Sequence, residues 1–194
     1  MKRQARVRRQ TRETSIEAML TIEGQGRAEV DTGIGFFDHM LKALAMHGSF
    51  DLTLRCQGDL EVDQHHTVED CGLVLGMALA QALGERRGIA RAGYFLMPMD
   101  EALAMAAVDL GGRGMAVAEV RVRAARVGDL EAELVVDFLE ALARGAGANV
   151  HVRTVVGRSS HHKIEAVFKA LGRALQAACA RGSRGYIPST KGLL

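Results

Sequence analysis

Hydrophobic positions along the chain follow two periods, and the succession of periods itself repeats. Residues 15–22 and 102–110 are apolar stretches of strand length, and each runs into a glycine turn, Glu23-Gly24-Gln25-Gly26 and Gly111-Gly112-Arg113-Gly114. A second strand-like run follows each turn, at 27–31 and 115–122, so each half is expected to open on a β-hairpin. The spacing then lengthens to that of a helix: Phe37, Met40, Leu41 and Leu44 in the first half, Phe138, Leu139 and Leu142 in the second. A strand comes next (50–54 and 150–155), followed by a long helix rich in Ala and Leu, about 67–83 and 162–180. The predicted order is strand-strand-helix-strand-helix, twice. This is an α/β (α+β) chain of two homologous half-domains, 1–92 and 93–194, that form one compact unit.

Composition narrows the class. Hydrophobic residues are 48% of the 194 and charged residues 25%, with two prolines, which excludes disorder and low complexity. No apolar run approaches the roughly 20 residues of a membrane-spanning helix, and the charged start lacks the apolar stretch of a secretory signal. Cys56, Cys71 and Cys179 are odd in number, far apart and free of CxxC spacing, which argues against a disulfide framework or a thiolate zinc site and for a reducing, cytoplasmic setting. The net charge of +2 implies no polyanionic partner. Lys2, Arg3, Arg6, Arg8, Arg9 and Arg12 form a basic arm that reads either as a nucleic-acid contact or as a solvated edge strand. The second reading is favoured, because no aromatic residues are interleaved for base stacking.

The sharpest marker is His65-His66-Thr67-Val68-Glu69, which recurs as His161-His162-Lys163-Ile164-Glu165 at the same place in the second half. Positions i and i+4, and i+1 and i+4, share a helix face, so each Glu can sit beside either His. Neighbouring histidines diverge by about 100° around the helix and serve two different ions more readily than one. A single HHxxE is equally a polar helix start; two in register point to metal. Imidazole with carboxylate, without thiolate, suits the harder first-row cations. His39 precedes the first motif and Asp137 the second at matching positions. His39 is a further candidate ligand; Asp137 is either a ligand or a helix N-cap. His47 is a candidate site residue at the end of the same helix, and His151 sits mid-strand. Near the C-terminus, Ser189, Thr190 and Lys191 form either a phosphate cradle or an ordinary tail. No GxxxxGK[ST] or GxGxxG fingerprint is present.

Several segments together resemble one family: Gly33-Ile34-Gly35-Phe36-Phe37-Asp38-His39-Met40-Leu41, His65 to Asp70, Pro98-Met99-Asp100-Glu101-Ala102, Ser160 to Ala166, and Ile187 to Gly192. They are similar to imidazoleglycerol-phosphate dehydratases over nearly the whole chain. The resemblance implies a ribosomal protein S5 domain 2-like fold, each half a roughly four-stranded sheet packed on two helices. It implies a hydro-lyase of histidine biosynthesis that converts imidazoleglycerol phosphate to imidazole acetol phosphate and water through a dimetal-bound imidazolate. It implies two Mn²⁺ ions per active site, held by His39, His65, His66, Glu69, His161, His162 and Glu165. Asp137 stands where the family often has an eighth ligand, a histidine. Substrate contacts carry over to Glu13, His39, His47, Arg91, Arg113, Lys169, Ser189, Thr190 and Lys191, with Glu13 as the general base or acid. Expected partners are a small phosphorylated imidazole and further copies of the chain, trimers building a 24-subunit shell with sites between subunits; neither nucleic acid nor membrane is expected. The competing classes are a nucleic-acid module stapled by metal and a two-metal phosphate-ester hydrolase.

Overall fold

The computed structural model describes residues 2–182 and 185–190. The first half contains β1 (Gln4–Gln10), β2 (Thr14–Thr21), β3 (Ala28–Asp31), α1 (Gly35–Gly48), β4 (Asp51–Gly58) and α2 (His65–Leu83). The second contains β5 (Ala92–Met99), β6 (Ala102–Asp109), β7 (Met115–Glu119), the short strands β8 (Arg126–Val127) and β9 (Leu130–Glu131), α3 (Leu134–Ala146), β10 (Asn149–Val156) and α4 (Ser160–Cys179). Strand order is β1-β2-β4-β3 in one sheet and β5-β6-β10-β7 in the other, antiparallel except for the last pair of each. Two half-domains, each a four-stranded sheet on two helices, agree with the expected fold.

The expected hairpins are corrected. β2 does not pair with β3, nor β6 with β7; β4 and β10 lie between them. The glycine turn hands the chain across β4 instead of back onto β2. Asp51, first residue of β4, holds the turn: its Oδ1 accepts from the amides of Gln25 at 2.9 Å and Arg27 at 3.1 Å, and its Oδ2 accepts from Arg27 Nη2 at 3.0 Å. Arg27 chiefly, with the Gln25 amide, holds the Asp51 carboxyl down at about 2. A side chain at Gly24 would collide with the Asp51 backbone, so the glycine serves this close crossing. The basic arm is β1, an edge strand, and Arg6 and Arg8 both pair with Glu17 on β2. The strand β5 is an addition to the predicted order. It carries apolar residues on both faces and includes Pro98, which an edge strand tolerates because one row of its amides goes unpaired.

The layers run sheet, helices, helices, sheet. α1 and α2 cover the first sheet, α3 and α4 the second, and the helices meet crosswise: α2 packs on α3, and α1 on α4. The core between them is almost wholly apolar, centred on Phe37, Phe138 and Phe168, with Phe138 stacked on Phe168 at 5.2 Å and edge-on to Phe37 at 5.5 Å. Cys56 and Cys71, distant in sequence, meet within it as free thiols.

Two glycines set how closely the helices cross. A Cβ at Gly76 would strike the Leu142 carbonyl and lie 2.7 Å from the Ala146 nitrogen; one at Gly172, its counterpart in α4, would strike the Leu44 carbonyl and lie 3.0 Å from the Gly48 nitrogen. At an open helix position Gly→Ala gains about 1 kcal/mol. Here the methyl meets backbone that cannot turn aside, so Gly76→Ala should instead lose about 1–3 kcal/mol, as overpacking does. Denaturant unfolding of chelator-treated protein checks this, and a variant at least as stable as the parent would contradict it.

Candidate metal centre

The crossed helices bring the two halves' polar residues together. Burial along α1 and α3 repeats at a spacing of 98 residues: Phe37 with Val135, Met40 with Phe138, Leu44 with Leu142. At that spacing Asp137 is the counterpart of His39. In α2 and α4 the spacing is 96, which matches His65, His66 and Glu69 to His161, His162 and Glu165.

His39 from α1 meets His161 and Glu165 from α4, and one donor atom from each lies within 4.8 Å of the others. His161 Nε2 is 3.2 Å from Glu165 Oε2, and His39 Nε2 is 3.7 Å from the same oxygen. A single ion with bonds of about 2.0–2.2 Å spans donors roughly 4 Å apart; the two measured pairs fit, and small side-chain movements bring in the third. The donor set, two imidazoles and a carboxylate, suits a first-row divalent cation. Phe36 packs its ring 5.0 Å from that of His161 and shields one side of the cluster. Burial pushes the Glu165 carboxyl up, but Lys169 at 2.7 Å, with His39 and His161, holds it below the ordinary carboxylate value. His47 is half-buried beside Lys169, and burial with the charges of Lys169 and Arg173 keeps its imidazole neutral to lower pH than usual.

The counterpart cluster joins α2 to α3. His65 Nε2 is 3.6 Å from Glu69 Oε2, and His65 Nδ1 is 3.9 Å from Asp137 Oδ2. Asp137 lies in the first turn of α3, whose N-cap is Glu133, so it is not the cap. Its carboxylate faces His65 Nδ1 while Glu69 faces Nε2, and among the described residues only the donors of His39, His161 and Glu165 converge within 4.8 Å. Arg144 donates to Glu69 Oε1 at 2.5 Å.

His66 and His162 lie edge-on to their neighbours, with ring planes at 77° and 87° to those of His65 and His161, and meet different carboxylates. His66 Nδ1 meets Asp59 at 3.0 Å and its Nε2 lies 3.7 Å from the exposed Glu13. His162 Nδ1 meets Glu101 at 2.7 Å, and its Nε2 lies 3.7 Å from Asp100. The partner carboxylate raises the pKa of each imidazole. The Ser159 amide first, then His162, holds the Glu101 carboxyl down at about 2.

Helix N-termini fix these positions. The carboxylate of Asp129, between β8 and β9, accepts from the amides of Gly35 at 2.7 Å and Phe36 at 2.8 Å, anchoring the start of α1 that carries His39. Gln64, just ahead of His65, bonds to Asp129 and Glu131. Ser159 caps α4 by accepting from the His162 amide.

The expected phosphate contacts are spread out. Arg91 adopts a left-handed φ of 70° and presents its fork to Asp109 at 2.6 and 2.9 Å, with Nη1 donating to the Pro188 carbonyl at 2.8 Å. It thus lies with Ser189 and Thr190, whereas Lys169 lies with Glu165. Arg113 is exposed on its glycine turn, and Lys191 falls outside the described residues. Sequence reasoning gave no role to Asp59, Glu101, Arg144 or Asp129. One signal was available: the glycine turns at 23–26 and 111–114 are 88 residues apart, the spacing that matches Glu101 to Glu13 in the repeat, and the strand registers agree with it.

Comparison with known proteins agrees with this architecture. The family model described as imidazoleglycerol-phosphate dehydratase matches residues 32–175. A relative of that name from Koribacter versatilis is 58% identical over 194 residues, covering 99% of this chain and all of the relative; one from Chloroflexus aggregans is 53% identical, covering 99% and 95%. Crystal structures of the enzyme from Pyrococcus furiosus, in complex with (S)-C348, and from Staphylococcus aureus superpose with TM-scores of 0.85 and 0.83. Their identities are 36% and 31%, and they cover 97% and 92% of this chain and 100% and 99% of theirs.

Since the Arg91 fork reaches Pro188, Arg91→Ala should speed amide hydrogen exchange in residues 185–190 while α2 and α4 keep their protection. Unchanged exchange in that segment would show that Arg91 does not hold it.

Proposed function

The chain belongs to the imidazoleglycerol-phosphate dehydratase family, hydro-lyases of histidine biosynthesis, and on that premise we propose that it removes water from imidazoleglycerol phosphate with the help of two Mn²⁺ ions per active site. The observation that carries the metal reading is the meeting of His39 with His161 and Glu165, residues far apart in sequence whose donor atoms converge. His39, His161 and Glu165 would hold one ion and His65 and Glu69, with Asp137 beside them, would contribute to the other. His66 and His162, turned outward, complete the ligand set. Bound there, the cations would supply Lewis acidity that lets the substrate's imidazole ring give up its N–H proton, and electrons of that ring can then expel the hydroxyl on the adjoining carbon.

The chain's own groups supply proton transfer and grip. Glu13 carries an exposed carboxylate facing His66 Nε2, and in this reading its Oε1 takes the proton from the carbon next to the one that loses its hydroxyl. The carbon the hydroxyl left gains a proton as the enol becomes the ketone, and the enol proton leaves with the hydroxide as water. Glu69 and Glu165 make poor bases, because Arg144 and Lys169 each engage one oxygen and the other faces histidine. The phosphate end would be gripped by Lys169, Arg113, Ser189, Thr190 and Lys191, and His47 would line the same site. Arg91, its fork already filled, acts by presenting the tail. Binding the phosphate remotely orients the reacting end.

These groups are scattered over one chain, which supports sites completed by further copies. The outward face of the second sheet is consistent with such contacts: Tyr94, Leu96, Met115, Val117 and Val155 are exposed there, whereas the first sheet turns Arg6, Arg8 and Arg55 outward. An exposed apolar face of that kind marks an interaction surface, and the assembly we assign is the family's trimer-built 24-mer.

Chelation should abolish formation of the ketone from imidazoleglycerol phosphate, and added Mn²⁺ should restore it; activity that survives removal of all transition metal would refute the metal reading. Release of inorganic phosphate in place of the ketone would indicate a hydrolase. Glu13→Gln should lower kcat by about 10²- to 10⁴-fold, the usual contribution of general acid–base catalysis, with Mn²⁺ binding and elution from a sizing column unchanged. Full kcat would remove Glu13 from the proton path.

A further inference from the structure

His66 and His162 reach the same arrangement by different means. Each has Nδ1 against a carboxylate and Nε2 turned outward, but the carboxylates are not equivalent in the repeat. In the first half Asp59 follows β4 in the six-residue connection to α2; the β10–α4 connection, Gly157-Arg158-Ser159, has no acid at all. In the second half Glu101 comes from the β5–β6 turn, and its repeat counterpart is Glu13, which makes no Nδ1 contact.

We propose that Asp59 and Glu101 are positioning residues for these two histidines, each holding a ring with Nδ1–H bound and Nε2 presented to a divalent cation. The inference rests on the metal reading above. A neutral imidazole that donates from Nδ1 has its lone pair on Nε2, so the carboxylate fixes both the tautomer and the direction of the free nitrogen. A polar helix start would need neither, and would not require both halves to expose the same nitrogen. Asp59 is well placed to act in this way, because its backbone amide donates to the Glu13 carbonyl at 3.1 Å, so the loop is pinned and its carboxylate is left to His66. Glu101 does two things at once. Its Oε1 accepts from the amides of Arg158 at 3.0 Å and Ser159 at 2.7 Å, and its Oε2 meets His162 Nδ1. The division of labour also accounts for Glu13. With Asp59 holding His66 Nδ1, the residue equivalent to Glu101 holds no Nδ1 and stands exposed beside His66 Nε2.

The test is Mn²⁺ binding by the full chain after chelation, followed through the electron paramagnetic resonance of free Mn²⁺. Asp59→Ala removes the acceptor and should weaken one class of site about 10–100-fold, the usual effect of losing such a partner. Asp59→Asn retains an acceptor oxygen and should recover most of that loss. Glu101→Gln should weaken the other class by a similar factor. With its oxygen kept on the Arg158 and Ser159 amides, its NH₂ faces Nδ1 and favours the wrong tautomer. The thermal midpoint measured in chelator should match the parent for both Asp59 variants. Parent-like Mn²⁺ affinity in Asp59→Ala and Glu101→Gln overturns the proposal, and so does an affinity loss that tracks a lowered midpoint in chelator. A parent protein that binds no Mn²⁺ would overturn the metal reading instead, and this inference with it.

Discussion

The crosswise contact of helices between the halves is the constraint on which the rest depends. α1 rests on α4 and α2 on α3, at a separation that Gly172 and Gly76 permit because neither places a Cβ against the facing carbonyl. That approach carries His39 of one half to His161 and Glu165 of the other, and Asp137 to His65. Among the described residues neither half alone brings three donors together, since His39 of α1 meets His161 and Glu165 of α4. Asp129 reinforces the dependence from outside the helices, by anchoring the start of α1 from the second half. Folding of the core and assembly of the donor sets are therefore one event, and a side chain that separates the helices also separates the ligands.

What could be read from sequence divides according to the range of the interaction. HHxxE was legible because i to i+4 neighbours on a helix share a face whatever surrounds them. The 98-residue match of His39 to Asp137 was legible for a similar reason, since apolar spacing in α1 and α3 is local. Strand order was not, because the choice between a hairpin and a crossing is decided by Asp51 reaching back to Gln25 and Arg27. β5 escaped because it is apolar on both sides and interrupted by Pro98. Two of the groups that hold the ligands escaped for the same reason as strand order. Glu101 meets His162 across 61 positions and Arg144 meets Glu69 across 75, and no short-range pattern encodes either contact.

The two clusters are related by the repeat in their helices and donors but not in the groups around them. Glu165 is 7% exposed and tied to Lys169 one turn along its own helix. Glu69 is more open and tied to Arg144 on another helix. The position equivalent to Lys169 in α2 is Leu73, and that equivalent to Arg144 in α1 is Met46, so neither tether has a counterpart. Helix packing is unforgiving of change, because the glycines at the crossing lie against facing backbone. The polar rim is not, because a charge can reach a carboxylate oxygen from several directions. The repeat therefore survives where packing enforces it and dissolves where hydrogen bonding offers alternatives.

That difference bears on why two carboxylates at one repeat position have such different surroundings. Glu101 is held by two backbone amides and an imidazole, and its low pKa follows from those donors. A carboxylate so engaged is a strong acceptor and a poor proton carrier. Glu13 occupies the equivalent turn between β1 and β2, but there Thr11 receives the local amide hydrogen bonds and Asp59 takes the histidine. Its oxygens are left facing solvent and His66 Nε2. One backbone position thus yields an anchor in one half and an unencumbered carboxylate in the other, and the choice between them is made by the neighbours, not by the residue.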